Sequence, residues 1–468
     1  MSDSDRSVPR GRVRRVAPLA GLTARAAGGR MVAALREKAG DEGAVQRFRE
    51  QTAERYADLL GHSKGVLMKV GQIFSLIDAA AVGRGELASY QQALTRLQVG
   101  APPMQPALVR EIVLADLGKP VELVFADFDD EPMAAASIGQ VHRAVRPDGR
   151  QVAVKIQYPG VAAAIRSDLA NAELLVTMFR FVGLDVPDLR QTAQEISARI
   201  TEELDYRNEA ANITTFHDLY RGHPFIRVPE LIPEACGDRV LTMTFLDGLD
   251  WAAARAADQE LKNTWADVIS RMVSGSHRHG NLFHADPHPG NYRFGLDGTV
   301  GFVDFGCVKK LPEPGRRGLV AIPRATLDGR RDDLRAAMVD SGFFAEDSTL
   351  SSDEVYQWLS ELMHTILQPQ PVTFTSHAAE RATRNIADFR TGGHPIRRMT
   401  VPPDFVFFCR LSLSINAVLT ALNATLDLRS LLDELDGVAA PTTEIGKAHD
   451  AWVRRRGLPY GMDHHDQN

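Results

Sequence analysis

Two neighbouring stretches, NLFHADPHPGN at residues 281–291 and VGFVDFGCV at residues 300–308, decide the interpretation of this chain. They contain Asp286, then Asn291 five residues later, and finally Asp304 in an Asp-Phe-Gly tripeptide. A carboxylate can accept or orient a proton, and carboxylate and amide oxygens are ligands that Mg²⁺ accepts in proteins. The apolar run at residues 299–303 predicts a strand between the two motifs. Together they predict chemistry on the phosphates of a nucleotide.

The spacing of these groups matches a known phosphoryl-transfer motif. Asp286 and Asn291 are as far apart in sequence as the Asp and Asn of the protein-kinase catalytic loop, HRDLxxxN. We therefore predict that Asp286 is catalytic and that Asn291 and Asp304 ligate Mg²⁺ against the phosphates of ATP. The alternative is that these residues only form turns, which Pro, Gly and Asn favour. The occurrence of both motifs in the right order argues for the catalytic interpretation.

Composition and net charge limit the classes of protein to which this chain can belong. The chain has 468 residues, of which 44% are hydrophobic and 24% charged, with a net charge of −6 and a pI near 6.2. These values are typical of an ordinary soluble protein with two or three domains. They give no reason to expect a nucleic-acid partner.

The first 30 residues differ, because they contain seven arginines and only two aspartates. Three interpretations stay open: a disordered basic tail, contact with an anionic membrane, or a mitochondrial transit peptide. The longest apolar region, residues 405–426, is interrupted by Arg410, Asn416 and Asn423, which predicts a buried or surface helix and not a membrane span. We expect a cytoplasmic protein whose membrane contact, if any, is peripheral, with a mitochondrial location less favoured.

Periodicity predicts an α+β fold. Residues 31–100 have apolar positions at helical spacing, whereas residues 121–160 contain three strand-like runs, VELVFADF, SIGQVHRAVR and QVAVKIQY, the last two joined by a Pro-Asp-Gly turn. Helical texture returns at 161–220, and a further strand is predicted at 239–246. A small sheet-bearing lobe followed by a large helical lobe is the protein-kinase-like two-lobe plan. The expected domains are a basic tail at 1–37, a helical extension at 38–115, an N-lobe at 116–250, a C-lobe at 251–395 and a helical C-terminal region with a polar tail at 396–468.

Lys155 lies in VAVK, on the third predicted strand. In a kinase such a lysine pairs with the α- and β-phosphates and is held by a helix glutamate. The best candidate for that glutamate is Glu209, in the helical run EELDYRNEA. The alternative is that Lys155 only extends its ammonium group to solvent.

The loop expected over the phosphates departs from the kinase pattern. Where GxGxxG would stand, the chain has Ala134, Ala135, Ala136 and Ser137. Alanine restricts the backbone more than glycine does, so we expect a stiffer loop that approaches the phosphates differently.

Four elements in order carry a family resemblance: KVGQ at 69–72, the alanine-rich loop, ELD at 203–205, and HADPHPGN with its Asp-Phe-Gly. With them the chain resembles the UbiB/AarF-type atypical kinase family, which includes coenzyme Q-associated mitochondrial members. The resemblance covers about residues 65 to 306 and extends to about 430 if the helical C-terminal region is included. It implies a protein-kinase-like fold with an N-terminal helical KxGQ extension.

The resemblance also implies roles for individual residues. Lys155 with Glu209 would order the phosphate site. Lys69 and Gln72 of the KxGQ helix would be regulatory, together with Glu203 and Asp205. Lys69 would approach Glu203 or Asp205 and cover the peptide cleft, which argues against peptide substrates. Adenine would be held at the hinge residues Met243, Thr244 and Phe245, where the family usually has a glutamate in place of Thr244.

The implied function is an atypical kinase or ATPase that binds ATP and Mg²⁺ and supports isoprenoid quinone biosynthesis, with a lipid or quinone-pathway partner. Two alternatives stay open. One is a small-molecule kinase of the aminoglycoside or choline type, in which HxDxxxxN also occurs. The other is a non-enzymatic scaffold whose conformation is switched by a nucleotide.

Overall fold

The computed structural model describes residues 36–37, 41, 103–136, 138–162, 204–284, 287–375, 398–400 and 402–464. Five residues singled out by the sequence lie outside these ranges: Lys69, Gln72, Ser137, Glu203 and Asp286. Their predicted roles stay predictions.

The first half of the described chain alternates short strands and helices. In chain order the elements are α1 (Pro106–Leu117), α2 (Val121–Val124), β1 (Asp127–Phe128), β2 (Ala134–Ala135), β3 (Gly139–Val145), β4 (Gln151–Gln157), α3 (Tyr206–Tyr220), β5 (Ile226–Arg227), β6 (Val240–Thr244), α4 (Trp251–Arg255) and α5 (Gln259–Gly280).

The second half is mostly helical. Its elements are β7 (Phe283–His284), β8 (Tyr292–Phe294), β9 (Val300–Phe302), β10 (Val308–Lys309), α6 (Glu313–Leu327), α7 (Arg331–Asp340), α8 (Ser352–Leu362), α9 (His364–Leu367), β11 (Val372–Thr373), α10 (Pro403–Ala421), β12 (Thr425–Leu426), α11 (Leu428–Leu435) and α12 (Glu444–Arg456).

The chain divides into two compact units: Met1–Ala210 with Leu231–Phe245, and Ala211–Glu230 with Leu246–Asn468. The first unit contains an antiparallel sheet in the order β1-β3-β4-β6, with β2 paired to β3. The predicted hairpin is confirmed, since β3 and β4 pair from Val145↔Gln151 to Gly139↔Gln157. The strand predicted at 239–246 is β6.

One strand prediction was wrong. The run VELVFADF begins with helix α2 and reaches strand conformation only at β1. Val121 and Val124 are buried while Leu123 is 70% exposed, which is the spacing of a helix face and not the alternation of a strand. Pro120 stands at the N-cap of this helical turn, a position where proline fits because it fixes φ before the helix.

In the second unit, β5, β9 and β8 form a small sheet, and β9 is the strand predicted between the two signature motifs. Helix α10 occupies most of the apolar region predicted to be helical. Among the residues that the structure describes, no helix combines the length and the apolar character needed to cross a membrane.

Buried ion pairs join the long helix α5 to α11. Arg271 contacts Glu434 at 2.7 Å and Arg278 contacts Asp436 at 2.6 Å, with all four side chains at most 5% exposed. Buried charges of this kind require a partner of opposite sign. Each helix therefore fixes the position of the other.

Three buried histidines connect α12 to this core through one directed chain of hydrogen bonds. His223 accepts the backbone N–H of Ile226 on Nδ1 (2.8 Å), so its Nε2–H donates to Nδ1 of His449 at 2.9 Å. His449 then donates from Nε2 to Nε2 of His279 (3.2 Å), whose Nδ1–H donates to the carbonyl of Pro459 (2.8 Å). Because a backbone N–H begins the chain and a carbonyl ends it, every imidazole is held neutral in one tautomer.

Burial disfavours protonation of this chain. Burial is the main cause that lowers the pKa of His223 from its ordinary 6.5 to about 2. Burial likewise lowers the pKa of His449 well below its ordinary value. Below pH 6.5 the unfolded state therefore binds protons that the folded state does not, and stability falls as the pH decreases.

We predict that the free energy of unfolding decreases below pH 6.5 by about 1.4 kcal/mol per pH unit for each of these two histidines. His449→Gln replaces one ring by a neutral amide that can still accept and donate. The free energy of unfolding of this variant, measured by urea unfolding between pH 7 and pH 5, should fall less steeply with decreasing pH. The difference in slope should correspond to about one proton taken up on unfolding. An unchanged slope would show that His449 is not kept neutral by folding.

Candidate functional site

The predicted lysine–glutamate pair is present in the first unit. Strand β4 carries Lys155 and the first turn of α3 carries Glu209. Lys155 Nζ lies 2.6 Å from Glu209 Oε1, and the two side chains are only 8% and 3% exposed. The ammonium group is therefore held inside the protein by a carboxylate and does not simply extend to solvent. The role of this pair toward a nucleotide stays a prediction.

A tyrosine that sequence reasoning missed adjoins this pair. The ring centroid of Tyr206 lies 5.8 Å from Lys155 Nζ, within the range of a cation–π interaction. Tyr206 and Glu209 are three residues apart on α3 and so share one helix face. The three-residue spacing from Tyr206 to Glu209 was the sequence signal that could have identified Tyr206.

Asp205, predicted to be regulatory, precedes α3. Its Oδ1 accepts the backbone N–H groups of Arg207 at 3.0 Å and Asn208 at 3.1 Å. A carboxylate in this place satisfies N–H groups that the first helical turn leaves unpaired. Asp205 thus fixes the start of the helix that carries Glu209.

The alanine-rich stretch differs from the loop that was expected. Ala134 and Ala135 form strand β2, and the N–H of Ala136 donates to the carbonyl of Gly139 at 2.9 Å to begin a tight turn. A Cβ at Gly139 would lie only 2.2 Å from the carbonyl oxygen of Ile156. Pairing with β3 therefore restrains Ala134 and Ala135, and the stiffness of the loop toward a nucleotide stays a prediction.

The hinge residues lie at the end of β6. Met243 is buried and pairs with Ala153. The N–H of Phe245 donates to the carbonyl of Gln151 at 2.9 Å, and the guanidinium of Arg143 lies 4.6 Å from the Phe245 ring centroid. Any adenine contact at Phe245 would therefore use its carbonyl or its ring, because its N–H is already engaged in the sheet.

In the second unit, one β-hairpin positions the two predicted metal ligands. Asn291 ends a 3₁₀ turn just before β8, and Asp304 follows shortly after β9. These strands are antiparallel, and the carbonyl of Asn291 accepts the N–H of Val303 at 3.0 Å. The pairing brings an amide and a carboxylate from separate motifs to the same end of the hairpin.

The Asp-Phe-Gly segment is held by contacts that the sequence did not reveal. Asp304 Oδ1 accepts the N–H of Gly306 at 3.0 Å, and the Asp304 carbonyl lies 2.5 Å from His284 Nε2, which must be the donor because a carbonyl only accepts. The Phe305 ring is fully buried, with ring centroids 5.0 Å from Phe216 and 5.2 Å from His284. His284 is the first residue of HADPHPGN, a position to which the sequence interpretation gave no role.

The residues present suit Mg²⁺ bound together with phosphate. Asp304 and Asn291 offer a carboxylate and an amide oxygen, and Mg²⁺ commonly takes one or two carboxylates together with phosphate oxygens and water. Within the described ranges, no group of three or more His, Cys, Asp or Glu side chains is arranged to hold a metal ion. A metal held by Asp304 and Asn291 would therefore depend on further ligands such as nucleotide oxygens.

Comparison with known proteins identifies the family. Residues 96–337, about half of the chain, match the model of the ABC1 atypical kinase-like domain. The chain belongs to this ABC1 atypical kinase family. The resemblance seen in the sequence is thereby confirmed.

Two relatives of this chain are mitochondrial atypical kinases. The chain is 30% identical over 362 residues to the mitochondrial atypical kinase COQ8B of Rattus norvegicus, which covers 75% of this chain and 67% of that protein. It is 31% identical over 265 residues to the mitochondrial atypical kinase COQ8 of Saccharomyces cerevisiae, covering 56% of this chain and 52% of that protein. The chain thus spans about half to two thirds of these relatives.

A solved structure supports the same fold. Rv3197 of Mycobacterium tuberculosis, in its complex with erythromycin, aligns with a TM-score of 0.59 at 30% identity, covering 88% of this chain and 99% of that one. The mixed helix and sheet architecture described above is therefore kinase-like.

We predict strong energetic coupling between Lys155 and Glu209. Lys155→Met or Glu209→Leu alone leaves a buried charge without its partner and should cost about 3–5 kcal/mol, whereas the double variant should cost much less than the sum. Urea unfolding of all four proteins measures the coupling. The exposed pair Lys447–Glu444, 2.9 Å apart, is the matched control and should couple by less than about 1 kcal/mol. Additive effects of the two substitutions on the free energy of unfolding would contradict the interpretation of Lys155 and Glu209 as a coupled buried ion pair.

Proposed function

We propose that this protein is an ATP-dependent phosphotransferase or ATPase that binds Mg-ATP. The observation that carries the proposal is the buried Lys155–Glu209 pair, because a lysine held at 2.6 Å by a helix glutamate is the arrangement that kinases use against the α- and β-phosphates. The Asn291 and Asp304 pair supports it, since these side chains suit the metal that accompanies the nucleotide.

The residue roles in this proposal follow the chemistry of each group. Lys155 neutralises phosphate charge, Glu209 orients Lys155, and Asn291 with Asp304 holds Mg²⁺. Asp286 orients or deprotonates the acceptor, which is either water or a small molecule. The alanine-rich stretch Ala134–Ala136, together with Ser137, covers the phosphates, and Met243 and Phe245 hold the adenine.

We further propose that the reaction supports isoprenoid quinone biosynthesis with the protein peripheral to a membrane. This part of the proposal is supported by similarity to the atypical kinases COQ8B and COQ8. The Lys69 and Gln72 helix, with Glu203 and Asp205, would exclude peptide substrates. Phosphate release with and without a quinone-precursor mimic separates this proposal from the two alternatives. The mimic should stimulate phosphate release if the protein acts in quinone biosynthesis, and it should have no effect on a small-molecule kinase or a nucleotide-switched scaffold.

A second candidate function is the binding of a macrolide. It is favoured by the alignment of 88% of this chain with the Rv3197–erythromycin complex at 30% identity. Calorimetric titration with erythromycin, with and without Mg-ATP, tests it. Absence of heat at millimolar erythromycin in both titrations would exclude it.

We predict that Asp304→Asn removes the stabilisation by Mg-ATP without unfolding the protein. A bound ligand at 100 times its Kd stabilises by about 2.7 kcal/mol, which a thermal-shift titration detects easily. The amide keeps the size of the side chain but loses the charge that holds the metal, so ATP with Mg²⁺ should stabilise the variant no more than ATP with EDTA.

The matched control for this variant is Asp258→Asn. Asp258 is exposed at the N-cap of α5, makes no side-chain capping bond there, and asparagine suits an N-cap equally well. It should respond to Mg-ATP as the parent protein does. A full Mg-ATP response in Asp304→Asn would refute the metal assignment.

A further inference from the structure

Helix α3 contacts the Asp-Phe-Gly segment through a residue that has no role in the function proposed above. Asn212 is partly buried, and its Nδ2–H donates to the carbonyl oxygen of Phe305 at 2.9 Å. One turn later, Phe216 packs its ring 5.0 Å from the ring of Phe305. The helix therefore fixes both the main chain and the side chain of Phe305.

The bond from Asn212 acts on one particular peptide group. The carbonyl of Phe305 and the N–H of Gly306 belong to the same planar peptide unit. That N–H donates to Asp304 Oδ1 at 3.0 Å. Asn212, the 305–306 peptide and the Asp304 carboxylate thus form a continuous series in which each hydrogen bond orients and polarises the next.

The neighbouring peptide unit is fixed separately. His284 Nε2 donates to the carbonyl of Asp304, which belongs to the 304–305 peptide. Two consecutive peptide planes are therefore each held by a side-chain donor, and the plane held by Asn212 is the one whose N–H contacts the carboxylate. Rotation of this plane would withdraw the Gly306 N–H from Asp304.

We propose that Asn212 is a positioning residue for the Asp304 carboxylate. It holds the 305–306 peptide so that the Gly306 N–H fixes the rotation of the carboxylate, and the geometry offered to a divalent cation depends on it. The consequence for Mg²⁺ depends on the proposed function, whereas the effect on the peptide does not. Side chains that orient a metal ligand typically change metal affinity 10–100-fold when replaced.

The variants are chosen to change the hydrogen bond from Asn212 to the Phe305 carbonyl. Asn212→Asp keeps the shape but places an acceptor against the Phe305 carbonyl, so the hydrogen bond is replaced by repulsion. Asn212→Ala removes the donor without adding a charge, and alanine favours the helix, so this variant should fold. Asn208→Asp is the matched control, since Asn208 is exposed one turn earlier on the same helix.

The experiment combines two measurements on the full chain. Hydrogen–deuterium exchange of the Gly306 amide, without nucleotide, reports the peptide group directly. A Mg²⁺ titration at fixed ATP, followed by thermal shift, reports the metal. Both Asn212 variants should exchange Gly306 at least several-fold faster and raise the Mg²⁺ midpoint about 10-fold. Asn208→Asp should leave both values unchanged.

The outcomes separate this inference from the proposed function. Unchanged Gly306 exchange in both Asn212 variants would overturn the inference, and so would an unchanged Mg²⁺ midpoint in a protein that binds Mg-ATP. If the parent protein shows no response to Mg-ATP, the proposed function fails, while faster Gly306 exchange in the variants would still establish that Asn212 positions the peptide.

Discussion

The ion pair between Lys155 and Glu209 is the constraint on which the first unit depends. Each charge lies almost entirely out of water, so each is costly unless the other is in place. The pair joins the middle of β4 to the first turn of α3, two elements far apart in sequence. The register of β4 between β3 and β6 and the capping of α3 by Asp205 both serve to bring these two side chains together.

Helix α3 also contacts the Asp-Phe-Gly segment. Glu209 lies in its first turn, and Asn212 and Phe216 follow on the next two turns. These later residues contact Phe305 through a hydrogen bond and through ring packing. One helix therefore carries Glu209, the partner of Lys155, and the contacts that hold Phe305. A change in the path of α3 would affect both groups of residues.

The C-terminal region illustrates how buried polar groups select one arrangement. The histidine chain through His223, His449 and His279 has a fixed direction, because its first member accepts from a backbone N–H and its last donates to a carbonyl. A different position of α12 would leave these buried nitrogens without partners, which costs free energy. Hydrophobic packing alone tolerates small displacements more easily.

The sequence by itself determined the elements whose signals are local. Strand-like apolar runs predicted β3, β4, β6 and β9, and the kinase pattern predicted that Lys155 would pair with Glu209. That Asn291 and Asp304 belong to one metal site stays a prediction. Tertiary structure decided the rest: the helical turn at Val121–Val124, the strand pairing of Ala134 and Ala135, the engaged N–H of Phe245, and the hydrogen bonds that His284 and Asn212 make. Periodicity reports which face of an element is buried, whereas the partner of a given N–H or carbonyl is chosen by segments distant in sequence that meet only in the folded chain.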